Sequence, residues 1–149
     1  MTPGTPRCAD ARVARIVALF EALTPAGVAR LGEFYHPQAR FKDPFNEVQG
    51  LAPVQHVFAH MFVALDEPRF VVNDIVVQGD QCFLTWDFIF RFKRFSRALQ
   101  TVRGGSHLLL DSAGLITLHR DYWDAAEELY EKLPAVGALM RWLKRRARS

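Results

Sequence analysis

The first half of the chain carries apolar residues at helical spacing. Asp10 can cap a first helix, whose apolar positions recur every three or four residues: Val13, Ile16, Val17, Phe20 and Leu23. Thr24 and Pro25 begin a second helix, because threonine caps well and proline fits the first helical position. Its apolar stripe follows at Val28, Leu31, Phe34 and Tyr35. A third helix between Gly50 and Pro68 has the most regular stripe: Val54, Val57, Phe58, Met61, Phe62 and Leu65.

The second half of the chain changes to the period of strands. β-Branched and aromatic residues alternate with polar ones, and turns are marked near Gly79 and Gly114. The pattern predicts four strands, over residues 70–77, 82–93, 99–110 and 115–123. Asp124 then caps a short helix.

Helices that precede a run of antiparallel strands predict an α+β fold, with the helices on one face of the sheet. We expect a cone-shaped curved antiparallel sheet wrapped around the three N-terminal helices, with an added C-terminal helix. Residues 1–9 are predicted as a disordered tail, 10–133 as one domain and 134–149 as a basic amphipathic helix. A cone of this kind often leaves an apolar interior in which small molecules bind.

The excess of positive charge lies in the C-terminal segment. The chain has a formal net charge of +3 and a pI near 9.1. Residues 134–149 contain five basic residues and no acidic one, and without them residues 1–133 carry −2. No basic face interleaved with exposed aromatics is evident, so we do not predict nucleic-acid binding.

The C-terminal segment has an apolar stripe at Val136, Leu139, Met140 and Leu143, with its basic residues largely elsewhere. We interpret this stripe as packing against the domain while the charges stay in water. The alternative is that a basic amphipathic helix carrying Trp142 rests on an anionic membrane surface.

Several other classes of protein are not favoured. Cys8 and Cys82 give neither a disulfide framework nor metal-ligand spacing. No run is long and apolar enough to cross a bilayer, and the N-terminus lacks the apolar core of a signal peptide, so a cytoplasmic location is expected. We predict no cofactor, since Gly104-Gly105 falls short of a phosphate loop. We predict no metal, because His56 and His60 lie off the apolar stripe of the third helix, on a solvated face.

Three segments resemble the nuclear transport factor 2-like superfamily, which includes ketosteroid isomerases and SnoaL-like cyclases. The first runs from Tyr35 through Asp43-Pro44 to Phe45, the second is Gly50 with the third helix, and the third runs from Leu110-Asp111 to Tyr122-Trp123. Together they cover most of residues 10–131. The resemblance implies the cone fold, whereas a fold of this kind hosts unrelated activities.

Asp43 is the leading catalytic candidate that this resemblance implies. In the isomerases the aspartate of the aspartate–proline pair is the general base that moves a proton next to a carbonyl, and an apolar pocket disfavours its charged form. Ketosteroid isomerase is itself a known example of pKa tuning by the site. The alternative is a plain turn, in which the carboxylate accepts backbone N–H bonds. Alignment places Leu19 and Ser106 where the isomerases carry their two oxyanion donors, so true steroid isomerisation is not expected.

The last strand offers a substitute set of polar groups. His119, Asp121 and Trp123 share one parity, and Arg120 and Tyr122 share the other. The resemblance turns the Trp123 face toward the pocket, where His119 and Asp121 would form a proton-transfer pair. Alternatively the parity is reversed or bulged and the two lie at an interface, or an ion pair merely satisfies the strand.

The walls of the pocket are predicted from the aromatic parity of the long strand and from the third helix. The predicted substrate-binding residues are Ser106, Trp123, Trp86, Phe88, Phe90, Phe58, Phe62, Met61, Tyr35 and Leu19. The plainer interpretation is that most of them are core. His107 points away from the pocket if Ser106 points into it. Asp87 and Arg91 lie on the outer face, where pairing with Arg103 and a homodimer interface are predicted.

These observations leave three hypotheses. The first is an enzyme that acts on an apolar carbonyl- or hydroxyl-bearing small molecule, with Asp43 as base and His119 and Asp121 assisting. The second is a noncatalytic module that binds a small apolar molecule in the same pocket. The third is an interaction protein that uses the sheet face and the basic segment for a partner or a membrane surface.

Overall fold

A six-stranded sheet and five α-helices make up the part of the chain that the computed structural model describes, residues 8–94, 97–128 and 134–147. The strands are β1 (Tyr35–Lys42), β2 (Glu47–Gln49), β3 (Leu65–Gln78), β4 (Gln81–Phe92), β5 (Leu99–Leu110) and β6 (Ile116–Tyr122). The helices are α1 (Ala11–Glu21), α2 (Pro25–Val28), α3 (Leu51–Ala64), α4 (Ala125–Glu128) and α5 (Pro134–Ala147). The sheet is curved, open and ordered β2-β1-β6-β5-β4-β3. The predicted α+β cone fold is confirmed.

The predicted helix starts are confirmed in their capping bonds. The side chain of Asp10 accepts hydrogen bonds from the backbone N–H groups of Arg12 and Val13, at 2.9 and 3.4 Å. The hydroxyl of Thr24 accepts one from the N–H of Gly27 at 3.1 Å. Such caps satisfy donors that a helix leaves unpaired at its N-terminus. The predicted stripe of α1 is buried at Val13, Ile16, Val17 and Phe20.

The prediction for residues 31–35 was wrong. α2 ends at Val28, a short 3₁₀ turn covers Leu31–Glu33, and Tyr35 begins β1 rather than ending a helix. Pro37 explains the difference, because the residue before a proline avoids the helical conformation. Pro37 also lies where the pairing of β1 with β6 shifts register, a position at which a strand tolerates a missing N–H.

The sheet is mixed rather than wholly antiparallel. β1 pairs with β6 in parallel, whereas the other neighbouring strands of the sheet run antiparallel. β5 has the predicted bounds, and β3 begins at Leu65 instead of residue 70. The pairing of β1 with β6 brings Phe41 opposite His119, so the missed strand supplies one wall of the site described below.

The predicted short helix after Asp124 is present as α4, and its capping carboxylate accepts N–H bonds from Ala126 and Glu127 at 3.0 and 3.1 Å. Two predictions lie partly outside the described part of the chain. They are the tail, at residues 1–7, and the C-terminal stripe, at the side chains of Val136 and Met140. None of the described helices is long and apolar enough to span a membrane.

The packing predicted for the C-terminal stripe is wrong at the two positions where side chains are described. Leu139 is 55% exposed and Leu143 is 45% exposed. Within the described structure α5 makes its main contacts with the short α4. The apolar side of α5 is therefore open to solvent at these residues.

Candidate functional site

An apolar cavity of about 290 Å³ opens between α3 and the concave face of the sheet. Its lining includes the polar residues Asp43, Asn46, His60 and Asp121 among many aromatic and aliphatic ones. The apolar lining consists of Phe41, Phe45, Val57, Phe58, Met61, Ala64, Leu65, Phe70, Trp86, Phe88, Phe90, Phe92, Val102 and Trp123. An apolar concavity with a few polar groups is the usual form of a small-molecule site.

Most of the predicted binding residues line this cavity: Phe58, Met61, Trp86, Phe88, Phe90 and Trp123. Phe62 and Leu19 do not line it and pack partly buried against the core. Tyr35 and Ser106 lie behind the wall, in the hydrogen-bond network described below. The lining residues that the sequence interpretation missed include Phe41, Phe70 and Val102. The alternation of Ala39 and Phe41 along β1 was the available signal, but no strand was predicted over this segment.

Aromatic contacts shape the wall formed by β3 and β4. The strand register places Phe70 opposite Phe88, and their rings stack with centroids 4.6 Å apart. The ring of Phe70 also meets that of Trp86 edge-on at 5.5 Å. Aromatic pairs at such separations stabilise the fold beyond what the burial of their apolar surface contributes. The wall is therefore packed and preformed.

Gly104 makes room for the Trp86 ring in the same wall. A Cβ atom placed on Gly104 would lie 2.6 Å from Cη2 of Trp86 and 2.9 Å from the carbonyl oxygen of Tyr122. The Trp86 indole N–H donates to the Ser106 hydroxyl at 2.9 Å, which fixes its ring. The Gly104-Gly105 pair thus has a packing role here.

Gly104→Ala is expected to lower the free energy of unfolding by about 1–3 kcal/mol, because the added methyl overpacks the core and must displace the Trp86 ring or the β6 backbone. Urea denaturation measures this change. Gly27→Ala is the matched control, since its Cβ would approach neighbours no closer than 3.4 Å and should change stability far less. Equal stability of Gly104→Ala and wild type would contradict the close approach.

A chain of hydrogen bonds runs behind the cavity from Trp86 to Tyr35. Ser106 accepts from Trp86 and donates to Oδ1 of Asp121 at 2.5 Å. Nε2 of His119 lies 2.6 Å from the same carboxylate oxygen, and the Tyr35 hydroxyl lies 2.7 Å from Nδ1 of His119. No buried side-chain nitrogen or oxygen among the described residues lacks a partner. A buried polar network that is satisfied in this way is rigid.

The protonation pattern of the network follows from its partners. A carboxylate only accepts, so the Nε2–H of His119 donates to Asp121. The pKa of Tyr35 lies well above its usual value near 10, because the phenol is buried and because the negative charge of Asp121 is near. Tyr35 therefore keeps its proton at neutral pH. With its proton on Nε2, the imidazole of His119 accepts the Tyr35 O–H bond at Nδ1, and both ring nitrogens are satisfied.

Aromatic rings enclose His119, which is 3% exposed. The nearest is Phe41, whose ring centroid is 4.8 Å from that of the imidazole, and Phe20 of α1 follows at 5.5 Å. Tyr35 stacks nearly parallel to the imidazole at 6.0 Å. This enclosure prevents His119 from rotating away from Asp121.

Asp121 joins the buried network to the cavity. Its side chain is 14% exposed and lines the cavity, while Oδ1 accepts from both Ser106 and His119. Oδ2 accepts no hydrogen bond from the described residues. Because every buried side-chain nitrogen or oxygen among those residues has a partner, Oδ2 is not a buried atom and remains accessible. The carboxylate is thus held by Oδ1, while Oδ2 stays accessible.

Asp43 sits at the cavity mouth in the turn between β1 and β2. Its Oδ1 accepts from the backbone N–H groups of Phe45 and Asn46, at 2.8 and 2.6 Å. The side-chain amide of Asn46 donates to both carboxylate oxygens, at 3.1 and 3.2 Å. These bonds are those of the plain-turn alternative. The structure brings Asp43 to the same cavity as Asp121 without joining it to the network.

The parity of β6 is the one that the resemblance implied. His119 and Asp121 face inward, whereas Arg120 and Tyr122 face outward, with the Arg120 guanidinium 4.7 Å from the centroid of the Tyr122 ring. His107 also faces away from the cavity, where Nε2 lies 3.0 Å from Oε1 of Gln81.

The remaining polar candidates belong to the surface. His56 and His60 are exposed, although His60 also lines the cavity, and no group of three metal-ligating side chains occurs among the residues that the structure describes. The register sets Asp87 opposite Arg103, but the predicted pairing is not formed. Arg103 instead contacts Glu128 at 3.3 Å. The predicted homodimer interface on this face stays a prediction.

Comparisons with known proteins agree on the fold. The profile of the SnoaL-like domain family matches residues 16–119. The structure of TsrD from Streptomyces laurentii is 21% identical, with a TM-score of 0.71, over 86% of this chain and 98% of that one. A protein with a ketosteroid isomerase-like fold from Catenulispora acidiphila, solved in complex with trimethylamine, is 16% identical, with a TM-score of 0.71, over 86% and 97% of the two chains.

A more distant likeness is the structure of a LEH-like epoxide hydrolase from M. tuberculosis. It is 14% identical, with a TM-score of 0.64, over 78% of this chain and 85% of that one. Among curated proteins none matches the chain. Identities this low establish the fold and leave the chemistry to the site itself.

Proposed function

Since the chain belongs to the SnoaL-like domain family, we propose that it binds a small apolar carbonyl compound in the cavity and moves a proton on it, with Asp121 as the general base. One observation carries the proposal. Asp121 lines the apolar cavity, and Ser106 and His119 hold one of its carboxylate oxygens while the other accepts no hydrogen bond from the described residues. A general base must be oriented and within reach of the proton that it removes.

The cavity supports a compact ligand. Its volume of about 290 Å³ lies at the lower end of the range typical of ligand sites, roughly 300–1,000 Å³. Its lining is largely apolar, so most of the binding free energy would come from removing apolar surface from water. A compact ring or short-chain compound suits this volume better than a sterol.

The chemistry assigned to Asp121 is a reversible proton shift. Oδ2 removes a proton from the carbon next to the carbonyl, the electron pair moves to the carbonyl oxygen as an enolate, and the protonated carboxyl returns the proton to carbon. Ser106 and His119 hold Oδ1 throughout, so the carboxylate needs no reorientation during the transfer. Tyr35 acts through His119 as a positioning residue.

The enolate oxygen requires a donor within the cavity. The indole N–H of Trp123 donates to none of the described residues. Because every buried side-chain nitrogen or oxygen among those residues has a partner, this N–H is accessible. The ring itself lies against Phe45 at 5.4 Å and lines the cavity. We assign Trp123 as the donor to the ligand oxygen.

This proposal moves the role of base from Asp43 to Asp121. Both oxygens of Asp43 already accept hydrogen bonds within the turn of residues 43–46, whereas Asp121 has one oxygen without a partner among the described residues. We assign Asp43 to shaping the cavity mouth. A noncatalytic binding module uses the same cavity and differs only in lacking the proton transfer.

The experiment has two stages. A thermal-shift screen with compact cyclic and branched ketones identifies a compound that stabilises the wild type, as any ligand of the native state must. NMR in D₂O then follows deuterium uptake at the carbon next to its carbonyl. Enzyme-dependent uptake supports the proposal, whereas binding with no uptake above buffer leaves a noncatalytic module.

Met61→Trp is expected to abolish the thermal shift given by that ketone, because the larger side chain fills the cavity from α3. Val63→Trp is the matched control: Val63 is on the same helix, is 68% exposed and does not line the cavity. Its thermal shift should equal that of the wild type. A shift retained by Met61→Trp would place the binding site elsewhere.

A further inference from the structure

The helix α5 presents apolar side chains to solvent. Leu139, Trp142 and Leu143 are 55%, 46% and 45% exposed. They are three and four residues apart, so they lie on one side of the helix. Exposed large apolar residues grouped in this way mark a surface that another phase or molecule covers.

Positive charge flanks this apolar side. Arg141, Arg145 and Arg146 are exposed on α5, and the segment 134–149 carries five basic residues and no acidic one. Arg141 and Arg145 are one helical turn apart, so they lie on a common flank. The guanidinium of Arg146 lies 5.0 Å from the centroid of the Trp142 ring. The partner that fits this surface is apolar beneath and negatively charged at its edge.

We propose that α5 docks this protein reversibly on the surface of an anionic lipid bilayer. Leucine and tryptophan insert at the boundary between headgroups and acyl chains, and the arginines contact the anionic headgroups. Tryptophan suits this position because one side of its ring is apolar and its N–H is polar. Docking at the interface needs no helix that spans the membrane.

The charge distribution gives the docking a direction. Residues 134–149 carry five basic charges and no acidic one, whereas the rest of the chain has a net charge of −2. An anionic surface attracts the helix and weakly repels the domain, so α5 faces the bilayer. The docking does not depend on the proton transfer at Asp121, since none of the α5 side chains that the structure describes lines the cavity.

Co-sedimentation of the full chain with vesicles tests the proposal. We expect binding to vesicles that contain phosphatidylserine, weak binding to pure phosphatidylcholine, and release at high salt because the charges are screened. Trp142 emission should shift to the blue on binding, and Trp142→Phe should remove that shift. Absence of binding to the anionic vesicles at low salt would overturn the proposal and leave α5 to a protein partner.

Neutralising the basic flank supplies the decisive variant. Arg141→Gln with Arg145→Gln is expected to lower the partition coefficient about thirtyfold, because each basic contact contributes roughly fivefold. The control is Arg40→Gln with Arg69→Gln, which makes the same change of net charge at exposed positions on β1 and β3. The control should bind like the wild type. Equal loss in both pairs would mean that overall charge, and not α5, drives binding.

Discussion

Asp121→Asn is expected to slow deuterium exchange on the bound ketone by about 10²–10⁴-fold, the usual contribution of a positioned general base. Asparagine has nearly the same shape, and its carbonyl oxygen still accepts from Ser106 and His119, which lie 2.5 and 2.6 Å from Oδ1 in the wild type. The amide nitrogen that replaces Oδ2 cannot take a proton from carbon. The cavity and its affinity for the ketone should therefore persist while exchange is lost.

The matched control for this variant is Asp74→Asn. Asp74 is an exposed aspartate on β3 that accepts a hydrogen bond from the Thr85 hydroxyl at 2.7 Å, remote from the cavity lining. Its exchange rate should equal that of the wild type. Ketone thermal shifts measured on all three proteins separate loss of chemistry from loss of binding. An unchanged exchange rate in Asp121→Asn would show that another group is the base.

His119→Phe is expected to lower the free energy of unfolding by about 2–4 kcal/mol. Phenylalanine fits among the aromatic rings that enclose His119, so volume changes little. The hydroxyl of Tyr35, which is fully buried, then loses its partner, and Asp121 loses one of its two donors. A buried polar group left without a partner costs about 1–3 kcal/mol, and a charged one more. Urea denaturation monitored by circular dichroism measures the change.

Tyr35→Phe completes a double-mutant cycle for this network. In the double variant the orphaned hydroxyl is gone, so the two substitutions together should cost less than the sum of each alone. The Tyr35 hydroxyl and His119 Nδ1 are 2.7 Å apart in a buried setting, which predicts a coupling of about 1 kcal/mol or more. Strict additivity would indicate that the two groups do not interact in solution.

The sequence could predict the elements whose signals are local. The stripe of α1, the cap at Asp10 and the bounds of β5 all follow from spacing that neighbouring residues determine. β1 was missed because Tyr35 continues a helical apolar spacing, and its strand conformation depends on pairing with the distant β6. Tertiary pairing overrides local propensity at such positions.

The site residues, like the secondary-structure elements, could be predicted where their signals are local and not where they depend on distant partners. Parity along β6 and the resemblance together put His119 and Asp121 on the cavity side, because strand alternation is local. The hydrogen bond of Tyr35 to His119 could not be predicted from the sequence, since the two residues are 84 positions apart. For Asp43 the sequence allowed both a base and a turn. Only the positions of the backbone N–H groups of Phe45 and Asn46, and of the Asn46 side-chain amide, show the turn bonds.

In the proposed reaction Asp121, and not Asp43, moves the proton. The most direct test measures deuterium exchange on one ketone in wild type, Asp43→Asn and Asp121→Asn side by side. We predict that Asp43→Asn keeps the wild-type rate to within about tenfold, because its carboxylate serves the turn, while Asp121→Asn loses about 10²–10⁴-fold. The reverse order, with exchange lost in Asp43→Asn and retained in Asp121→Asn, would contradict the account.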